Sequence, residues 1–305
     1  MLLVVIAAVV TGNSTRRDAF ARDASPTFRV ATFNIHKGAD RGNHYDLDRT
    51  IDAIAHLDAD LVGVQEAMRN DAGLHCDDQP ALIAAGLRRR TGRPWTHVYV
   101  QSWITRNRQC LERGRGDDVA TEGVAFFSRE PIIASSSVRL SEGRVGLAVR
   151  VASMPRVPVI VTHLEASRQN VPERALEIER LLPWAVRQGP GILIGDFNAT
   201  PEATELGPLL AHYRDSWEEA IKRGRAGGVT PLGATRPGRR GARIDYVLRM
   251  PEVNLAVDSA EVVDTVIPPA LDGVSDHYPV VVTFHRNSVP SEAAPQTTEH
   301  VAPPR

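Results

Sequence analysis

Residues 191–201 run GILIGDFNATP. Ile192, Leu193 and Ile194 form a short apolar run of the kind a buried strand uses. Gly195 lets the backbone approach a neighbour closely. Asp196, Phe197 and Asn198 follow, and Thr200 with Pro201 ends the element. In extended chain Asp196 and Asn198 point to the same face. A buried strand that delivers a carboxylate and a carboxamide at its end builds a site. The acid takes a metal or orients a water, and the amide donates to an oxyanion. In isolation the same residues would be an Asx-type turn after a strand.

The pattern recurs. Apolar runs are closed by a polar side chain at Asn34 (VATFNIHKG), Glu66 (DLVGVQE), His163 (VIVTHLEAS), Asp245 (RIDYVL) and Asp276 with His277 (VSDHYPVVV). Two histidines and several carboxylates at such endings point to one shared site rather than to unrelated turns.

The chain has 305 residues, 42% hydrophobic and 24% charged, enough for a large core. A formal net charge of −1 gives no global field toward nucleic acid or an anionic membrane. Lys37 and Lys222 are the only lysines. Genomic base composition explains that arginine bias more simply than phosphate binding does. Residues 2–10, LLVVIAAVV, are too short to span a bilayer and match the apolar core of a secretory signal, without a positive segment before them. The expectation is export. Residues 1–26 then form a signal-like segment and linker, 27–286 one domain, and 287–305 a disordered tail rich in Pro, Ser, Thr and Glu. Cys76 and Cys110 are the only cysteines and fit no zinc or C-x-x-C pattern. In an exported protein one disulfide between these loop-like segments is plausible; in a cytosolic one they are two thiols.

Along the chain, 28–35 reads as a first core strand. Asp46 caps a helix carrying Leu47, Ile51 and Ile54, and 61–65 returns as a buried strand with Glu66 at its end. A second helix covers 79–90, and 95–104 alternates weakly as a strand. A polar loop spans 105–118, and 123–127, 145–151 and 157–162 read as further strands. Pro172 opens a helix through about residue 188 that Pro183 should kink. Residues 214–243 read as surface loops around a short helix, and 244–248 and 279–284 as late strands. This is one α/β domain with much sheet buried on both faces.

In this order, the N of F-N-I-H, the E of V-Q-E, G-D-F-N, R-I-D-Y and S-D-H resemble the endonuclease/exonuclease/phosphatase superfamily, over about residues 30–284. The resemblance implies a DNase-I-like four-layer α/β sandwich: two packed, mainly antiparallel sheets with helices outside. It implies Glu66 as principal Mg²⁺ ligand, Asn34 beside it as ligand or orienter, and Asp276 contributing to the metal site. Asp196 would hold the attacking water and Asn198 would contact the phosphoryl oxygens. His277, with Asp245 behind it, would sit against the scissile phosphate. His163 would be the second phosphate-contacting histidine, and Glu122, in TEGVAFFSR, matches the place of its glutamate partner in the DNase branch.

The chemistry agrees with that resemblance. Phosphoester hydrolysis needs negative charge neutralised, a water activated and a leaving oxygen stabilised. A sparse oxygen-donor set suits Mg²⁺, with Mn²⁺ as a substitute, better than Zn²⁺. A His–Asp pair supplies acid/base capacity near neutral pH. Each residue alone has a plainer reading: Glu66 as a helix-start acid, either histidine as structural, Asp245 as the ion-pair partner of Arg243. His36 and Lys37 read as loop residues. The expected function is a Mg²⁺-dependent phosphodiesterase acting on nucleic acid or a phospholipid headgroup, as a monomer without an obligate protein partner. The alternatives are a phosphomonoesterase of the same family or a non-catalytic binding module on the same scaffold. No G-x-S-x-G occurs, which removes the most recognisable serine hydrolase.

Overall fold

A computed structural model of the chain describes residues 27–167, 169–230, 232–237, 241–265 and 273–286. The signal-like segment and the C-terminal tail lie outside the described residues. The expected strand–helix–strand unit forms from β1 (Thr27–Asn34), α1 (Leu47–His56) and β2 (Leu61–Arg69), with β1 and β2 parallel. Asp46 caps α1 by accepting from Arg49 N at 3.1 Å. Next come α2 (Gln79–Thr91), β3 (Thr96–Arg106) and a short α3 (Gln109–Glu112) inside the segment read as a loop. The chain continues through β4 (Val119–Ser128), β5 (Ile132–Arg139), β6 (Val145–Val151) and β7 (Val159–His163). Then α4 (Val171–Arg187) runs through Pro183, followed by β8 (Ile192–Asp196), α5 (Gly207–His212), β9 (Arg214–Asp215) and α6 (Ser216–Lys222). The last strands are β10 (Ala226–Gly228), β11 (Asp245–Arg249), β12 (Leu255–Val262) and β13 (Val280–Arg286).

The strands make two sheets, ordered β10-β12-β13-β1-β2-β4-β3 and β5-β6-β7-β8-β11-β9. Among the described residues only β1/β2, β10/β12 and β7/β8 pair in parallel. This is the expected four-layer arrangement of two mainly antiparallel sheets flanked by helices. β5 and β12 are absent from the sequence reading for physical reasons. β5 is a largely exposed edge strand, and β12 is interrupted by a register shift between Val257 and Ser259.

Alternation along the central strands divides the core. Val30, Leu61, Phe126, Val161 and Ile194 face the layer between the sheets. Ala31, Val62, Val64 and Phe127 face α1 and α2, where Ile51, Ile54, Ile83 and Leu87 are buried. Gly195 has φ +148°, and a Cβ there would lie 2.0 Å from Thr162 O, so the β7/β8 pairing beside the site admits only glycine. Among the described residues no helix is long and apolar enough to cross a membrane.

Cys76 and Cys110 are joined, with Cα atoms 5.5 Å apart. Both are buried, Cys110 in α3, rather than in open loops as the sequence suggested. The bridge ties the segment after β2 to the β3–β4 connection across a separation of 34 residues. Breaking it should lower unfolding stability by about 3–4 kcal/mol on the chain-entropy model. Denaturant unfolding of the oxidised protein against Cys110→Ser tests this; equal midpoints would reject a stabilising bridge.

Candidate active site

The site assembles because parallel pairings bring strand ends together. Asn34 ends β1, His163 ends β7 and Asp196 ends β8, with His163 and Asp196 in register. Asp245 opens β11 directly opposite Asp196. It therefore starts its strand rather than closing it, and residues 243 and 244 just before it lie outside any strand. Glu66 is not at a strand end either. β2 continues to Arg69, and a register shift between Val64 and Ala67 places Glu66 at φ +57°. This bulge turns the carboxylate toward β1, where Asn34 Nδ2 donates to Glu66 Oε1 at 2.9 Å. Glu66, Asn198, His36 and Lys37 all have positive φ, so part of the site's backbone is held in a conformation that side chains disfavour.

Asp196 is the centre. It is 1% exposed. Its Oδ2 accepts from Asn34 Nδ2 at 3.1 Å and its Oδ1 from Asn198 N at 2.8 Å. His277 Nε2 lies 3.7 Å and His163 Nε2 3.6 Å from the same Oδ2. His277 Nδ1 is 2.9 Å from Asp245 Oδ2, so Asp245 stands behind the ring. Burial and the nearby Asp245 charge push the Asp196 carboxyl up to about 7, against the opposing pull of His277 and its hydrogen bonds.

The two histidines differ in charge. Burial disfavours a charged His277, but the Asp245 and Asp196 carboxylates outweigh it and raise the imidazole to about 10. Burial, then the Arg144 and His277 charges, hold His163 well below its usual value. Its surroundings agree: Nδ1 faces Arg144 Nη1 at 3.1 Å and Nε2 faces Asn198 Nδ2 at 3.1 Å. A neutral ring can accept from one such donor; an imidazolium can accept from neither.

One expected pairing, and the plainer alternative for Asp245, are not found. Glu122 does not partner His163: its carboxylate meets Lys37 Nζ at 3.3 Å, while Arg144 occupies the His163 Nδ1 side. Arg243 does not pair with Asp245 but with Asp215 at 2.5 Å and Glu218 at 3.1 Å. Asp276 is half-buried, 3.5 Å from Arg236 and 4.0 Å from His36 and His277. Sequence reading missed Arg144, the Lys37 pair and two buried hydroxyls. Thr235 Oγ1 accepts from Asp245 N at 3.2 Å. Ser275 Oγ donates to Asn34 O at 2.7 Å and accepts from His277 N at 3.1 Å. Ser275, inside S-D-H, was the detectable one; Thr235 lies in a segment without periodicity.

The model of the endonuclease/exonuclease/phosphatase family matches residues 31–277. The chain belongs to this family. It is accordingly a metal-dependent hydrolase of phosphoester bonds. No curated protein sequence matches it. Among solved structures, an endonuclease/exonuclease/phosphatase from Bacteroides vulgatus is 19% identical, covering 86% of this chain and 100% of that one, with a TM-score of 0.62. The human nocturnin catalytic domain with bound sulfate is 20% identical, covering 86% and 94%, TM-score 0.59. The Bacteroides thetaiotaomicron mannosyl-6-phosphatase is 16% identical, covering 84% and 99%, TM-score 0.61. At these identities the likeness is one of fold.

The residues present fit a hard divalent ion. Among the described residues Asp196, Asp245 and His277 offer donor atoms within 4.8 Å of one another, and Asp245 Oδ1 is buried without a partner. His277 is protonated toward Asp245, however, and a protonated ring has no lone pair to give. Glu66, half-buried and oriented by Asn34, is the better oxygen donor.

In metal-free protein His277 should remain charged through pH 8, and Asp245→Asn should bring its titration down. A raised imidazole contributes stability that is complete below about 6.5 and lost as pH rises through about 10. Imidazole ¹⁵N NMR across pH tests this; a His277 titration near 6.5 in the wild type would contradict it.

Proposed function

We propose that the protein is an exported, Mg²⁺-dependent phosphodiesterase that acts by direct attack of water. The supporting observation is that two histidines set on one carboxylate differ in charge, His277 protonated and His163 neutral. Asp196, raised to about 7, suits a base that orients and deprotonates water near neutral pH. His277, charged and held by Asp245, donates to the phosphoryl oxygen as negative charge develops there. Asn198 adds an amide donor on the same side. His163, neutral and steadied by Arg144, stands where a proton is exchanged with the leaving alkoxide. Such help matters most for a diester, whose alcohol leaves poorly. Glu66, with Asn34 orienting it and Asp276 contributing, would hold Mg²⁺, which supplies Lewis-acid neutralisation of phosphoryl charge. The buried disulfide supports export, since such bridges persist in oxidising compartments. The solved structure of nocturnin holds a sulfate anion, an oxyanion of the shape this reading requires.

His277→Ala and Asp196→Ala should each lower kcat by about 10²–10⁴-fold with native circular dichroism. Unchanged turnover in His277→Ala would remove the assignment.

Chelation should abolish activity, and Mg²⁺ or Mn²⁺ should restore it in the wild type but not in Glu66→Ala. Substrate class is read by turnover of plasmid DNA and of a soluble headgroup diester over a salt series. Steep salt inhibition on DNA alone indicates a nuclease. Headgroup turnover with inert DNA indicates the lipid-type diester. Cleavage of monoesters only would replace the diesterase reading by the phosphatase alternative.

A further inference from the structure

Glu177 is fully buried on α4, at a position the proposed reaction leaves unused. A carboxylate so placed is costly unless its oxygens are occupied. Its Oε1 accepts from Ser141 Oγ at 2.7 Å and its Oε2 from Glu165 N at 2.7 Å. Those two donors belong to the two segments that meet at the His163 ring. Ser141 lies in the turn 140–144 between β5 and β6, which ends at Arg144 and is closed by Leu140 N donating to Arg144 O at 2.9 Å. Glu165 follows β7, just past His163. One side chain therefore fastens both the turn that carries Arg144 and the strand end that carries His163. Residues one turn away on the same helix face add to the hold. Arg174 Nη1 donates to Glu165 O at 2.8 Å, and Arg180 Nη1 donates to Leu140 O. Burial raises the Glu177 carboxyl, against the pull of its two hydrogen bonds and of the Arg144 charge.

The clamp decides the sense of the hydrogen bonds at His163. Arg144 Nη1 lies 3.1 Å from Nδ1 and Asn198 Nδ2 lies 3.1 Å from Nε2, and the neutral ring has one nitrogen lone pair to offer them. A guanidinium is only ever a donor, and its charge makes its bond the stronger. Asn198 has another acceptor in Leu164 O at 3.1 Å, and a carboxamide can also turn its oxygen to the ring. Nδ1 is therefore the acceptor. The ring proton stays on Nε2, the nitrogen 3.6 Å from Asp196 Oδ2. Had Glu122 been the partner at Nδ1, its carboxylate would have drawn the proton there and left Nε2 a bare lone pair. Held by Arg144 instead, His163 presents a proton to the reacting groups.

We propose that Glu177 is a positioning residue: by clamping the 140–144 turn onto the end of β7 it keeps Arg144 on Nδ1 and fixes His163 as the Nε2-protonated tautomer. This rests on the phosphodiesterase reading for the use made of that proton; the tautomer is set with or without substrate.

Long-range ¹H–¹⁵N correlation spectra of the full chain at neutral pH read which ring nitrogen carries the proton, with the His163 signal assigned by its loss in His163→Gln. The wild type should show a protonated Nε2 and a bare Nδ1. Arg144→Met and Glu177→Ala should each move the proton wholly or partly to Nδ1. Both should lower kcat on bis(p-nitrophenyl) phosphate with Mg²⁺ about 10- to 100-fold and leave KM within about twofold. Glu177→Gln keeps an acceptor for Glu165 N and a donor for Ser141 Oγ, so it should retain the tautomer and most of kcat. A wild-type ring protonated on Nδ1, or an unchanged tautomer in Arg144→Met or in natively folded Glu177→Ala, would overturn the proposal. Where Glu177→Ala does not fold, Ser141→Ala takes its place: a partial shift of the proton to Nδ1 supports the clamp, and an unchanged ring rejects it. If the wild type cleaves p-nitrophenyl phosphate but no diester, the phosphodiesterase reading fails, and the spectra alone then decide for or against the clamp.

Discussion

The site depends on one buried carboxylate. Asp196 is 1% exposed at the end of a strand, and an ion so placed is costly unless its oxygens are occupied. They are: Asn34 and the Asn198 backbone donate to it, and two histidines stand within 3.7 Å of the same oxygen. Those partners come from strands in both sheets. The charge on Asp196 is thus balanced only when the two sheets pack in this register. Fold and site are fixed together.

That arrangement also explains where strain sits. Glu66 occupies a bulge with positive φ instead of a regular strand position. Asn198 turns back on Asp196 with φ +52°. Each gives up regular backbone geometry so that a side chain faces the shared centre. Gly195 adds the complementary constraint. With Thr162 O 2.0 Å from where its Cβ would lie, no side chain can intrude between β7 and β8.

Much of this was legible in the residues. The apolar runs located the strands that carry Asn34, His163 and Asp196, because buried strands write their burial into composition. The two-sheet class followed from strand density together with the resemblance of the ordered motifs. Exposed β5 and the irregular β12 were not legible, since neither shows an unbroken apolar pattern. Pairings were the other failure. Glu122 and His163 lie on different sheets, and only the packed molecule shows that Lys37 takes the glutamate and Arg144 the histidine. The supporting hydroxyl of Thr235 carries no periodic signal at all. Which partner a charged side chain finds across layers is decided by packing distances that sequence spacing does not contain.

In the proposed mechanism water, positioned by Asp196, attacks phosphorus directly, with the histidines serving as donors and never as nucleophiles. The most direct measurement is the stereochemical course at phosphorus, using a chiral phosphorothioate version of the preferred substrate hydrolysed in H₂¹⁸O. A single in-line displacement by water inverts configuration, and inversion is the result expected here. Retention would require a covalent phosphoryl-enzyme, with a histidine as the attacking group, and would contradict this account.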